Sequence, residues 1–326
     1  MSQYPEIKVL LKQILMVLAV SLAIGCTSQN RKRIMVADSP EGLDSITKLD
    51  SITKYDVPIK IDIPKNVTIG EYFNFMDSLV NAYCERTSLP LTEHLLVRNN
   101  RWVIDTLANT DYYRMMARDS FVHDQRKLVV LPKGSTLLVP DAIQTTALSG
   151  DFDHWWIDVN IPEFKLRLYK DSSVVYAFPI RVGQNRKRFL AMDGKISDLR
   201  TRTGSGSIVR HVRNPDFYNP VDGKRFYFTK RDDGLTTYMP QIPWLETEID
   251  AQRNGQMIHP TTNPESLGKA YSNGCIGVKE ADAWIIYYYA PVGTKIQIRY
   301  DLEVKGKGSD TLHLKDIYGY RKPPRH

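Results

Sequence analysis

Tyr271-Ser272-Asn273-Gly274-Cys275-Ile276-Gly277-Val278 is the stretch on which the reading of this chain turns. A cysteine stands there between turn-forming residues. Ser and Gly just ahead of it suit a sharp turn that pushes the sulfur out of the backbone and aims peptide N–H groups at one point. Sixteen positions upstream, His259 lies in Met257-Ile258-His259-Pro260-Thr261, after an apolar strand end and before a proline. A thiol and an imidazole at this separation can meet across a small sheet. The imidazole can then draw the thiol proton, and the thiolate is the form that attacks carbonyls. With Gly274 and Cys275 N–H groups as oxyanion donors, the segment offers both needs of acyl transfer, an activated nucleophile and a hole for the developing charge.

Outward from this pair the chain reads as short strands. Ile157, Val159 and Ile161 alternate with polar residues, as do Phe164, Leu166 and Leu168, the period of half-buried strand. Asn160-Ile161-Pro162-Glu163 fits a hairpin connection, and Val174–Phe178 continues the sheet. Gly and Pro punctuation between the strands predicts a β-rich sandwich or barrel-like domain over 151–301. Gly204-Ser205-Gly206-Ser207 reads as a flexible turn, because no helix with Lys-Ser/Thr follows to make it a phosphate loop. Residues 282–289 read as a short helix whose positive end would lie near Cys275. His211, beside Arg210 and Arg213, reads as an exposed loop histidine or a substrate contact; His94, His123 and His154 read as ordinary.

Ahead of that domain, residues 66–150 predict a small, mostly helical unit, since Phe73, Met76, Leu79, Val80 and Tyr83 recur at helical spacing. Its end, 127–140, reads as strand, turn, strand and faintly resembles the close of a LysM glycan-binding repeat, although the remaining spacing does not line up. Residues 26–65 are a polar tether containing a duplicated Leu-Asp-Ser-Ile-Thr-Lys, at 43–48 and 49–54. Residues 1–25 read as an export signal with a short apolar run, too short to span a membrane comfortably. Gly25-Cys26 resembles a lipoprotein cleavage box, which would make Cys26 the lipidated residue on the periplasmic side of a bacterial membrane. The tail, 302–326, is polar and basic; Leu312, Leu314, Ile317 and Tyr318 are its candidates for packing on the body. The fold class expected is therefore an α+β two-domain chain.

Composition narrows the alternatives. The net charge of +7 is scattered, with no basic helix and no basic–aromatic ladder, so a nucleic-acid partner is not expected. Three cysteines do not make a disulfide framework, and Cys84 reads as a small helix hydrophobe. No Cys/His spacing fits zinc, and neither a metal nor a cofactor is expected.

Ile258-His259 followed by Ser272-Asn273-Gly274-Cys275-Ile276 resembles the active-site signature of the L,D-transpeptidase catalytic domain family, the YkuD type. The likeness continues through Trp156–Asn160, Leu166–Tyr169, Phe178–Gly183, the turn Thr201–Gly204, Leu267-Gly268 and Gly293–Ile298, about 152–301 in all. The resemblance implies Cys275 as nucleophile, His259 as general base and acid, and Ser272 or a nearby carbonyl as the group orienting His259. It implies Tyr238 and Asn273 as substrate neighbours, peptidoglycan stem peptides as substrates and carbapenems as inhibitors. Two positions depart from the pattern: Gly277 stands where the family usually has Arg, and Pro260 where it usually has Gly. A carboxypeptidase or amidase of the same fold, and a non-catalytic wall-binding lipoprotein, are the competing readings.

Overall fold

The computed structural model describes residues 59–87, 90–306 and 310–321. The predicted export signal, most of the tether and Cys26 lie outside these residues. The first part of the described chain contains β1 (Ile59–Asp62), β2 (Val67–Thr68), α1 (Ile69–Thr87), α2 (Glu93–Asn99), α3 (Trp102–Ala108), α4 (Tyr112–Met116), β3 (Val129–Leu131), β4 (Thr136–Val139) and α5 (Ala142–Phe152). Local rules set the ends of these helices. Thr92 accepts from the Leu95 N–H at α2, Asp111 accepts from Tyr113 and Arg114 at α4, and Asp141 with Gln144 forms a full capping box at α5. α1 turns Tyr72, Phe73, Met76, Leu79 and Tyr83 inward, the three-and-four spacing of one buried face. The 127–140 strands do not pair with each other as a hairpin. β4 pairs with β1 and β3 with β2, because the turn between them carries the chain from one small sheet to the other.

The second part of the described chain is organised by one eight-stranded sheet. Its chain order runs β5 (Trp155–Asn160), β6 (Lys165–Lys170), β7 (Ser173–Pro179), β8 (Val182–Gly183), β9 (Lys187–Leu190), β10 (Lys195–Asp198), β11 (Gly204–Val212), β12 (Phe228–Lys230), β13 (Thr236–Tyr238), β14 (Trp244–Ile249), β15 (Gln252–Pro260), β16 (Ala270–Ser272), β17 (Ile276–Val278), α6 (Glu280–Tyr289) and β18 (Lys295–Arg299). The large sheet is ordered β17-β15-β14-β11-β18-β5-β6-β7. β15–β17 and β18–β5 run parallel, and the other neighbours antiparallel. Just beyond β7, Arg181 meets Gly277 of β17 as an antiparallel bridge. The Arg181 N–H reaches the Gly277 carbonyl at 2.9 Å and the return bond is 3.0 Å. The two edges of the sheet are thereby joined into a nearly closed barrel, which removes the open edge that a strand otherwise exposes.

The Gly204–Ser207 stretch is not a flexible turn. It opens β11, a central strand, pairing with both β14 and β18. Its glycine is there for close approach: a Cβ on Gly206 would stand 1.7 Å from the Glu248 carbonyl oxygen. His211 is likewise on β11, half-buried, with Nε2 donating to the Ala290 carbonyl at 3.0 Å, not on an exposed loop. Its ring stacks on His94 with centroids 5.2 Å apart, and burial pulls their pKa values down to about 4 and about 3.

α6 holds the two halves together. Its buried Ala283, Trp284, Ile286, Tyr287 and Tyr288 share one hydrophobic core with Tyr72, Phe73 and Met76 of α1. The Tyr72 and Tyr288 hydroxyls lie 2.6 Å apart, and Tyr288 donates to the buried Glu93 carboxylate at 2.6 Å. A carboxylate caps the start of α6. Asp111 receives its Ala281 N–H at 2.9 Å, a carboxylate at a helix start, where the dipole favours one. Beside it Glu280, fully buried, pairs with Arg231 and accepts from Gln125 Nε2 at 2.7 Å and Tyr112 N–H at 3.0 Å. In the tail, short strands at 303–305 and 311–313 pair, and Tyr318 is buried against the body.

Removing one member of a buried ion pair strands the other without its counter-charge. Glu280→Ala is therefore expected to lower unfolding free energy by about 3–5 kcal/mol. Urea denaturation followed by tryptophan fluorescence measures this; a loss below about 1 kcal/mol contradicts the role given to the pair.

Candidate active site

β15 and β17 place the two signature residues. Their parallel register sets Ile258 against Ile276 and His259 against Gly277. Side chains alternate along a strand, so the buried isoleucines point into the core and His259 points to the opposite face. Cys275 immediately precedes β17 and shares the phase of Gly277. Strand spacing and rise put the Cys275 and His259 backbones about 8 Å apart on one side of the sheet.

The imidazole is held by its own neighbour. His259 Nδ1 lies 2.9 Å from the Pro260 carbonyl oxygen. A carbonyl only accepts, so Nδ1 carries the proton and Nε2 keeps its lone pair. The Trp244 ring lies against the imidazole with centroids 4.8 Å apart. The orienting task expected of Ser272 or a nearby carbonyl is met by the Pro260 carbonyl. The Ser272 hydroxyl serves the cysteine turn instead: it donates to the Cys275 carbonyl at 2.6 Å and accepts from the Gly274 N–H at 3.3 Å.

Several strands meet to fix that turn. Gly274 sits at φ +113°, a conformation that side chains rarely adopt. Its carbonyl accepts from Thr201 Oγ1 at 2.9 Å, and the same hydroxyl accepts from the Gly183 N–H at 2.8 Å. The Tyr318 hydroxyl accepts from Thr201 N–H and donates to the Gly183 carbonyl. The Cys275 N–H has no acceptor among the described residues, which leaves it available to an incoming oxygen.

Cys275 is a free thiol, so no bridge joins it to Cys84. Its sulfur takes the Met257 N–H and lies 3.8 Å from the Gly255 carbonyl oxygen. No thiol–imidazole hydrogen bond is formed among the described residues; the sulfur rests on the β15 backbone. Burial pushes the thiol pKa up, against the pull of the Met257 N–H and the Arg181 charge. Burial, aided by Arg181, pulls the imidazole down to about 4, with the Pro260 carbonyl opposing. At neutral pH the pair rests uncharged, a thiol beside a free base.

Arg181 was not singled out by sequence reasoning. Its backbone bridges Gly277, and its side chain lies over that glycine: a Cβ at 277 would stand 2.6 Å from Nε and 2.7 Å from Cγ. The readable signal was Gly277 itself, a glycine in a strand where the backbone needs no positive φ. Thr201, Trp244 and Tyr318 were also missed as site-builders, since their roles depend on distant strands.

Of the two expected substrate neighbours, Asn273 lies exposed on the cysteine turn. Tyr238 is on β13, its ring 4.4 Å from Phe228 and under the Arg126 guanidinium at 4.6 Å. Among the described residues no hydrogen bond or ring contact joins Tyr238 to Cys275 or His259. The β12–β13 hairpin does touch the segment after His259, through Thr229 and Thr262 hydroxyls 2.9 Å apart. Among the described residues no cluster of three or more His, Cys, Asp or Glu could hold a metal, and no helix is long and apolar enough to cross a membrane.

Residues 154–298 match the family model of the L,D-transpeptidase catalytic domain, YkuD. The chain is 28% identical over 174 residues to the probable L,D-transpeptidase ErfK/SrfK of Escherichia coli K12, covering 52% of this chain and 51% of that protein. It is 28% identical over 142 residues to the putative L,D-transpeptidase YkuD of Bacillus licheniformis, covering 44% of this chain and 64% of that one. The chain thus spans about half the length of the first relative. Among solved structures, the L,D-transpeptidase from Xylanimonas cellulosilytica aligns at a TM-score of 0.33 and 12% identity, over 75% of this chain and 100% of that one. Residues 154–298 are therefore similar to the L,D-transpeptidase catalytic domain of the YkuD family.

Proposed function

We propose that this protein is a peptidoglycan L,D-transpeptidase working through a thioester on Cys275. The observation that supports it most is the His259 ring: Nδ1–H is tied to Pro260, so Nε2 is a base on the face of the sheet that carries the thiol. Attack requires the sulfur to leave the Gly255 carbonyl, a movement open to it through the other staggered wells of χ1. Catalytic hydrogen bonds often close only when substrate binds.

The steps follow from these groups. Sγ attacks the carbonyl carbon of a stem-peptide amide while its proton passes to His259 Nε2. The carbonyl oxygen becomes an oxyanion held by the Cys275 N–H and, once it leaves Ser272, the Gly274 N–H; each such donor contributes about 2.7–4 kcal/mol to the barrier. Collapse breaks the C–N bond, and His259 gives its proton to the departing amine. The acyl group remains on sulfur as a thioester. An acceptor amine then attacks that carbonyl, its proton goes to His259, and sulfur leaves and regains its proton. The product is a new amide cross-link, or an attached protein if the amine is a protein's. Water as acceptor gives the carboxypeptidase outcome, which muropeptide product analysis separates. In this reading a lipid on Cys26 tethers the enzyme on the periplasmic side, near its polymer.

A β-lactam amide is opened by the same attack. Carbapenem treatment of the wild-type protein should add one inhibitor mass at Cys275, and Cys275→Ala should add none. Intact-mass analysis with peptide mapping reads both; an unmodified wild type removes the proposal. His259→Ala should slow acylation by about 10²–10⁴-fold. Because protonated His259 cannot act as base, and its pKa is about 4, acylation should fall with acid only through pH about 4. An acid limb at the ordinary histidine value of about 6.5 would contradict the neutral, half-buried imidazole.

A further inference from the structure

The chain places one cation beside the thiol and gives it no ordinary partner. The register aligns three residues in a row across neighbouring backbones: His259 on β15, Gly277 on β17, and Arg181 on the segment that closes the barrel. Residues directly opposite each other project to the same face. His259 and Arg181 therefore flank a position that has no side chain, and the Arg181 stem fills the gap. The fit is tight: a Cβ at 277 would meet Arg181 Nε at 2.6 Å, Cγ at 2.7 Å and Cδ at 3.0 Å.

The guanidinium is poorly compensated. Nη1 donates to Ser266 Oγ at 3.2 Å, while Nε is buried with no hydrogen-bond partner. Among the described residues no carboxylate lies within ion-pair distance of it, although Arg98, Arg213, Arg231 and Arg299 all have one. An unpaired buried charge is costly, and folds retain one where something else repays it. The titratable groups that act on it are Cys275, Tyr271 and Asp232; the thiol acts most strongly. Of these, Cys275 is the one that gains negative charge in the chemistry.

We propose that Arg181 is a positioning residue that stabilises the thiolate of Cys275, and that Gly277 is glycine so that the guanidinium can reach across β17. The counter-charge it lacks at rest is the sulfur anion formed during attack. The inference rests on the thiol-nucleophile reading above and adds the group that makes the nucleophile attainable from a half-buried thiol. The same charge acts on both groups: it favours departure of the proton from sulfur, weakens His259 as the base that receives it, and favours its later release from nitrogen.

The test is the pH dependence of Cys275 alkylation by iodoacetamide in the full chain, read by peptide mapping for wild type, Arg181→Gln, Arg181→Lys and Gly277→Ala. Removing a nearby positive charge lifts the pKa of both thiol and imidazole. Arg181→Gln should move the alkylation midpoint up by about one unit and slow alkylation at pH 7 about tenfold. Gly277→Ala should do the same by displacing the side chain, and the double variant should be no slower than Arg181→Gln alone. Arg181→Lys should restore most of the rate. Thermal melts identify any variant that fails to fold, and Gly277→Ala then carries the test. Midpoints that stay at the wild-type value in folded variants overturn the proposal, even if stability falls. A wild type that carbapenem acylates, with unmoved midpoints, sinks this inference alone. Shifted midpoints with no acylation of wild-type Cys275 sink the transpeptidase reading and leave this one standing.

Discussion

The backbone pair between Arg181 and Gly277 is the constraint on which the rest of the site depends. Its two hydrogen bonds join the edges of the large sheet, so β17 becomes an interior strand of a nearly closed barrel. An interior strand is held on both sides, and the cysteine turn at its start inherits that rigidity. Nearby, Thr201 and Tyr318 tie the same turn to β8. The backbone of the cysteine turn is thereby ordered by the fold, which lowers the entropy lost when its N–H groups position a bound carbonyl.

Burial gives this site its chemical character. The cleft disfavours charge, so it raises the thiol and lowers the imidazole, and the two rest uncharged. A thiolate–imidazolium pair waiting in water would be exposed to oxidation and stray acylation. In the mechanism proposed above, charge appears only during the attack, with the unbonded Cys275 N–H ready to receive it. The helices ahead of the barrel contribute from a distance. Tyr113 donates its hydroxyl to the Thr262 carbonyl and receives the Asp232 N–H, so α4 braces the segment that follows His259. The Arg231–Glu280 pair anchors the β12–β13 loop, which carries Asp232, to α6.

The signature pair, the hairpin of β5 and β6 and the closing strand were legible because their signals are local: alternation, a turn-flanked cysteine, a histidine at a strand end. The helical character of the first part was legible from one amphipathic stripe. What the sequence hid is set by pairing between distant segments. Gly204–Ser207 looks like a loop by composition, yet Gly206 exists to let β14 approach. The stretch 127–140 reads as strand, turn, strand, and partner choice, invisible in either strand, sends each to a different sheet. Ser272 lies next to the nucleophile in sequence and was expected to orient the imidazole, a task done by Pro260, one residue from His259. Arg181 lies 94 positions from Cys275, and only the glycine opposite it hinted at its place.

The most direct measurement is a crystal structure of the protein after reaction with a carbapenem. The account predicts a thioester on Cys275 Sγ with its carbonyl oxygen on the Cys275 N–H. It also predicts His259 Nε2 facing the acyl carbon, Nδ1 still on Pro260, and Arg181 still lying over Gly277. Sulfur left free against the Gly255 carbonyl, with inhibitor bound elsewhere or the imidazole turned off Pro260, would contradict it.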